Sequence, residues 1–139
     1  MKYQNQYLGK WMQTGYRSLW TSQMMKRAHE LEFIPEQFEK IVVGVDPAAT
    51  NTKNSDATGL IVVGYDSGMY YVLDEATGNY SPLEWAQKVK ELYVKWQADY
   101  VVAEVNMGGD LVESNIRNVC GSFIQIEKVH ASKGKILRA

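Results

Sequence analysis

The sequence predicts an α/β protein: a mixed five-stranded sheet with helices on its faces. Three observations carry this. Apolar runs rich in β-branched or aromatic residues recur at 41–45, 60–65, 69–73, 100–103 and 123–129. The first three lie close enough in sequence to form an antiparallel meander. Amphipathic helical patterns then separate the third run from the fourth and the fourth from the fifth. The order β-β-β-α-β-α-β suits a sheet that changes from antiparallel to mixed and is covered by helices.

Residues 1–38 differ in texture and read as a tail or linker ahead of a domain at 39–139. Leu8, Trp11, Met12, Tyr16, Leu19, Trp20, Met24 and Met25 are roughly helically spaced, but Gly9 and Gly15 interrupt them. Such stripes usually form core or interface. A short helix is expected over 22–32, and Pro35 ends that region.

The first strand, Ile41 to Val45, stops on Asp46. Burying a carboxylate beside such residues is costly unless something pairs with it. A polar loop carrying Asp56 leads to the second strand. Asp66-Ser67-Gly68 turns the chain into the third, after which Asp74 and Glu75 are expected to face solvent. In SPLEWAQKVKELYVKWQ, Ser81 caps a helix, Pro82 suits its first position and Glu84 completes a capping box. Leu83, Trp85, Ala86, Val89, Leu92, Tyr93 and Trp96 form its apolar face. Asp99 opens the fourth strand, which ends on Glu104. A turn at 106–109 follows. Asp110 is expected to cap a second helix, with Glu113 at the capping-box position.

Two strands thus stop on an acid, in VVGVD and VVAE. If they are adjacent, Asp46 and Glu104 meet at one end of the sheet. Like charges in one place favour a cation between them. Hard carboxylate oxygens suit Mg²⁺ or Mn²⁺, and a two-metal site hydrolyses phosphodiesters. The plainer alternative is that each acid marks the solvent end of a strand. Asp56 either approaches the same site or serves the loop's turn.

Composition narrows the field. The 139 residues suffice for one domain, and 45% hydrophobic with 22% charged residues is an ordinary globular balance. Net charge is −1, so no basic surplus marks a nucleic-acid partner, although a local patch is compatible with a neutral total. The single cysteine, Cys120, forms no internal disulfide, which fits a reducing compartment. No signal peptide or membrane-length apolar run is evident. There is no Walker A loop, no GxGxxG and no CxxC. His29 and His130 stand alone in sequence, and His130 reads as a surface or backbone-bonding residue.

The motif text adds a resemblance. IVVGVDPAAT, SDATGLIVVGYD, YYVLDEATG, YSPLEWA, ADYVVAEVNMGGDLV and KVHASKGKILRA resemble the C-terminal nuclease domain of phage terminase large subunits. The resemblance runs from about residue 40 to the end. It implies an RNase H-like (retroviral integrase-like) fold and metal-dependent cleavage of concatemeric double-stranded DNA during packaging. Asp46 and Glu104 fall on the family's first two catalytic acids, with Mg²⁺ or Mn²⁺ in a two-metal site. Asp56 falls on a loop acid as an auxiliary ligand. Lys135 and Arg138 match a GK-x-x-RA segment, where they either contact DNA phosphate or backbone or stand exposed at a helix start. Implied partners are double-stranded DNA, an ATPase domain, a small terminase subunit and a portal, in the cytoplasm of a bacterial host, with no membrane. YLGKWMQTGYRSLWT is similar to the segment that follows the ATPase domain.

The family's third acid belongs beyond GK-x-x-RA, so the chain reads as a domain with its C-terminal part missing and its activity impaired. The rival reading is a non-catalytic fragment that binds DNA or the motor. A third, an actin-like ATPase suggested by DPAATNT, needs two such domains and a second phosphate loop.

Overall fold

The structure is a computed structural model and describes residues 20–30, 33–48, 57–105 and 109–130. The chain divides into two compact units, Met1–Ile34 with Lys133–Ala139, and Pro35–Ser132. In the first, the described element is helix α1, Ser22–His29. Thr21 caps it by accepting from Met24 N at 3.1 Å. It ends earlier than the expected residue 32 and buries no residue.

The second unit holds the sheet. Its elements are β1 (Lys40–Asp46), β2 (Gly59–Asp66), β3 (Met69–Glu75), α2 (Pro82–Lys95), β4 (Tyr100–Glu104), α3 (Gly109–Cys120) and β5 (Ile126–Val129). The strand order is β3-β2-β1-β4-β5. β1 pairs antiparallel with β2, and β2 antiparallel with β3. β4 runs parallel to both β1 and β5. The mixed five-stranded sheet of the sequence reading is therefore present.

One face of the sheet carries the helices. Val43 and Val45 of β1, Leu60 and Val62 of β2, and Val101 and Ala103 of β4 are buried. They pack with Trp85, Ala86, Val89 and Leu92 of α2 and with Ile116 and Cys120 of α3. Alternation along the strands sends the intervening residues to the other face. There, Ile61, Tyr70, Val72 and Val129 are exposed.

The capping box of α2 is complete: Glu84 N donates to Ser81 Oγ at 3.3 Å, and Ser81 N to Glu84 Oε2 at 2.7 Å. Leu83 departs from the expected apolar face and is exposed. It precedes Trp85 by two residues, about 200° around a helix, and so faces away from the sheet. Helix α3 begins at Gly109, which puts Asp110 inside the first turn rather than before it. Glu113 pairs with Lys128 of β5 at 2.9 Å and with Arg117 at 3.5 Å. Strand β5 begins at Ile126, not Phe123. Gly121 takes a left-handed φ of 78° after the helix, and Arg117 Nη1 donates to Ile124 O at 2.7 Å. Those interactions dock buried Ile124 before the ladder with β4 begins.

Asp74 also departs from expectation. It lies within β3, and its Oδ2 accepts from Lys95 Nζ at 2.7 Å and Trp96 Nε1 at 2.8 Å. The Lys95 bond, then the Trp96 bond and the Glu75 backbone N–H, hold its pKa down at about 2. Among the described residues no helix is long and apolar enough to cross a membrane.

Candidate functional site

The register of β1 on β4 places the two strand-ending acids. Val42 pairs with Tyr100, and the match continues to Val45 with Ala103. The next residue on each strand is Asp46 and Glu104. Adjacent strands lie about 4.8 Å apart, and registered neighbours point to the same face. Because Val45 and Ala103 point into the core, Asp46 and Glu104 belong to the opposite face.

The register is pinned at the other end. Asp99 Oδ2 accepts from Ile41 N at 2.8 Å, and Asp99 N donates to Ile41 O at 2.8 Å. Each acid stands five residues downstream of this clamp, Asp46 after Ile41 and Glu104 after Asp99.

Asp46 is exposed and Glu104 half-buried. Of the alternatives open from the sequence, Asp46 thus stands at the solvent end of its strand and is not a buried carboxylate. The buried run ends at Val45, and strand alternation turns the next side chain outward. No burial penalty therefore demands a partner for Asp46. An open position leaves it available to solvent and ligand. The row across the sheet continues on both sides: Asp46 pairs with Gly59 of β2, and Glu104 with Val129 of β5.

Carboxylates at the ends of neighbouring strands offer hard oxygen donors of the kind that hold Mg²⁺ or Mn²⁺ with part of the hydration shell retained. Among the described residues, no group of three or more His, Cys, Asp or Glu side chains comes together as a metal site. Asp56, Lys135 and Arg138 lie outside the described residues. Cys120 is buried, and that burial pushes its thiol pKa up, away from the reactive thiolate. His130 is exposed.

Sequence reasoning gave no role to Thr58, a buried polar residue with 1% exposure. Its Oγ1 accepts from Ala48 N at 3.3 Å, two residues beyond Asp46. Its backbone exchanges two hydrogen bonds with Gly78, at 2.9 and 3.1 Å. Thr77 Oγ1 accepts from Leu60 N at 3.1 Å, and Tyr80 OH donates to Ala76 O at 2.8 Å. Thr58 thus ties both stems of the β1–β2 connection to the segment after β3. Its only sequence signal was a β-branched hydroxyl at the junction of a polar loop with an apolar run.

Comparisons with known proteins bear on the family and the fold. Residues 43–139 match the family described as the terminase RNase H-like domain. No curated protein matches the chain in sequence. Among solved structures, one similar chain is a K428A mutant of the nuclease domain of large terminase subunit gp2 of bacterial virus Sf6, with manganese and beta-thujaplicinol. Its TM-score is 0.53 at 18% identity, covering 69% of this chain and 40% of that one. The chain thus spans well under half of that nuclease domain. The Fowlpox virus resolvase in complex with Holliday junction DNA has a TM-score of 0.49 at 15% identity, covering 70% of this chain and 66% of that one. An exopolyphosphatase from Cytophaga hutchinsonii reaches 0.47 at 9% identity, covering 66% and 34% respectively. At those scores the latter two add nothing to the fold assignment. The family match spans most of the sheet and both acids, and the chain belongs to the terminase RNase H-like domain family.

Proposed function

We propose that this chain carries part of the metal-dependent nuclease site of a DNA-packaging terminase. Asp46 and Glu104 are its metal-binding acids and double-stranded DNA its substrate. What supports the reading is that Asp46 and Glu104 each follow the last paired residues, Val45 and Ala103, of two neighbouring parallel strands whose buried residues face the helices. Family membership supports it, as does the manganese in the Sf6 structure. The two carboxylates would hold Mg²⁺ or Mn²⁺. Such ions, when bound, activate water and stabilise the leaving oxygen of a phosphodiester. This chain's contribution is to fix two oxygen donors side by side on a rigid sheet, with register set by the Asp99–Ile41 clamp. Asp56 is proposed as an auxiliary acid, and Lys135 and Arg138 as phosphate contacts. The wider assembly proposed is an ATPase domain, a small subunit and a portal in the host cytoplasm.

The test is supercoiled plasmid incubated with Mn²⁺ and either the chain or the chain joined to the segment expected to bear the third acid. An Asp46→Ala copy of each is run alongside. Opening of the plasmid by the wild type and not by Asp46→Ala is expected. Intact plasmid in every lane contradicts the nuclease reading and favours a non-catalytic DNA- or motor-binding module.

A further inference from the structure

Six described glycines of the sheet unit differ in what an added side chain would meet. Gly68 and Gly121 adopt left-handed φ values of 81° and 78°. At Gly64 an added Cβ would lie 2.6 Å from the Phe38 ring, at Gly78 3.0 Å from the Tyr80 ring, and at Gly44 3.0 Å from Ile61 Cγ2. Those three are explained by packing.

Gly59 has neither reason. It sits in β2 with ordinary extended pairing opposite Asp46. Among the described residues, the nearest atom to an added Cβ is Asp46 Cβ at 3.4 Å, an ordinary van der Waals contact. Strands favour β-branched residues, and a glycine there weakens the strand. Stability alone would therefore place a side chain at 59. Glycine in a strand also marks places where a ligand approaches closely. Here the missing side chain belongs beside the exposed carboxylate of Asp46. The opposite flank, beyond Glu104, is occupied by Val129.

We propose that Gly59 shapes the site: its bare backbone leaves room on the β2 flank of Asp46 for a hydrated divalent cation. Mg²⁺ and Mn²⁺ sites of this kind retain several waters, which need room beside the carboxylates. A larger side chain at 59 would take that room and crowd the Asp46 carboxylate towards Glu104. The proposal rests on the reading of Asp46 and Glu104 as metal-binding acids.

The experiment is a Mn²⁺ titration of the 139-residue chain, following the free ion by electron paramagnetic resonance. Wild type, Gly59→Ala, Gly59→Val and Asp46→Asn are compared, with a thermal melt of each. Gly59→Ala adds only the atom that fits and carries the stability test; its Tm should equal or exceed that of the wild type. Gly59→Val should lower Mn²⁺ affinity by at least about tenfold, the scale of disturbed surroundings at a metal site, with Gly59→Ala between it and the wild type. Affinity in Gly59→Val equal to that of the wild type overturns the role of Gly59 while leaving the metal reading intact. A lowered Tm in Gly59→Ala overturns it by making the glycine structural. Wild-type binding that is absent, or unchanged in Asp46→Asn, removes the metal reading and this proposal with it.

Discussion

Asp99 grips Ile41 at both backbone groups: its carboxylate accepts from Ile41 N at 2.8 Å and its own N–H donates to Ile41 O at 2.8 Å. The pair aligns the starts of β4 and β1. Because register propagates along a ladder, it also determines which residues meet at the far end. Replacing the side chain by Asp99→Ala leaves Ile41 N without its acceptor. A loss of about 1–2 kcal/mol is expected, read from urea unfolding midpoints. Asp99→Asn, which keeps an acceptor oxygen, should lose less.

Thr58 supplies a second local prediction. Its hydroxyl accepts from Ala48 N while the residue is buried. Thr58→Val keeps shape and β-branching but removes the acceptor. It should cost about 1 kcal/mol, while Thr58→Ser should recover much of the bond. Chemical denaturation of the three proteins measures this. Faster amide exchange at Ala48 in the Val variant would locate the effect at the exit from β1.

Asp74 gives a pH prediction. Its carboxyl is held at about 2, below the ordinary value of 3.8, chiefly by the Lys95 and Trp96 hydrogen bonds. A lowered folded-state pKa favours the folded state once the carboxyl is ionised. The contribution is therefore present above about pH 4 and lost as pH falls from there towards about 2. Thermal melts of the wild type and Asp74→Asn across that range should show a gap at neutral pH that closes in acid. A gap that is constant with pH would contradict the assignment.

Much of the fold was legible because its signals are local. The β-branched runs marked all five strands, and Ser81, Pro82 and Glu84 marked the start of α2. The misreadings have non-local causes. Asp74 looked solvent-facing because nothing in YVLDEATG reveals that Lys95 and Trp96 return to meet it. The predicted β5 is too long because Phe123 and Ile124 are apolar, yet Phe123 meets the Tyr93 ring and Ile124 O accepts from Arg117. Glu113 looked like half of a capping box because its partner Lys128 lies on a later strand. The candidate site was legible as two acids ending two Val-Val runs. Their adjacency needed the parallel pairing of β1 with β4, and their place on the face away from the helices needed the side-chain alternation. That no described residue crowds Gly59 depends on the pairing of β1 with β2 across the sheet, which no local signal reveals.

In the proposed site Asp46 and Glu104 hold one cation between them. The most direct measurement is a double-mutant cycle on Mn²⁺ affinity with Asp46→Asn, Glu104→Gln and both together. Residues that share a ligand are coupled, whereas independent sites add. Either single substitution should remove most of the binding, and the double variant should be little worse than the worse single. Two losses that simply add, or Mn²⁺ binding that survives both substitutions, would contradict a shared site.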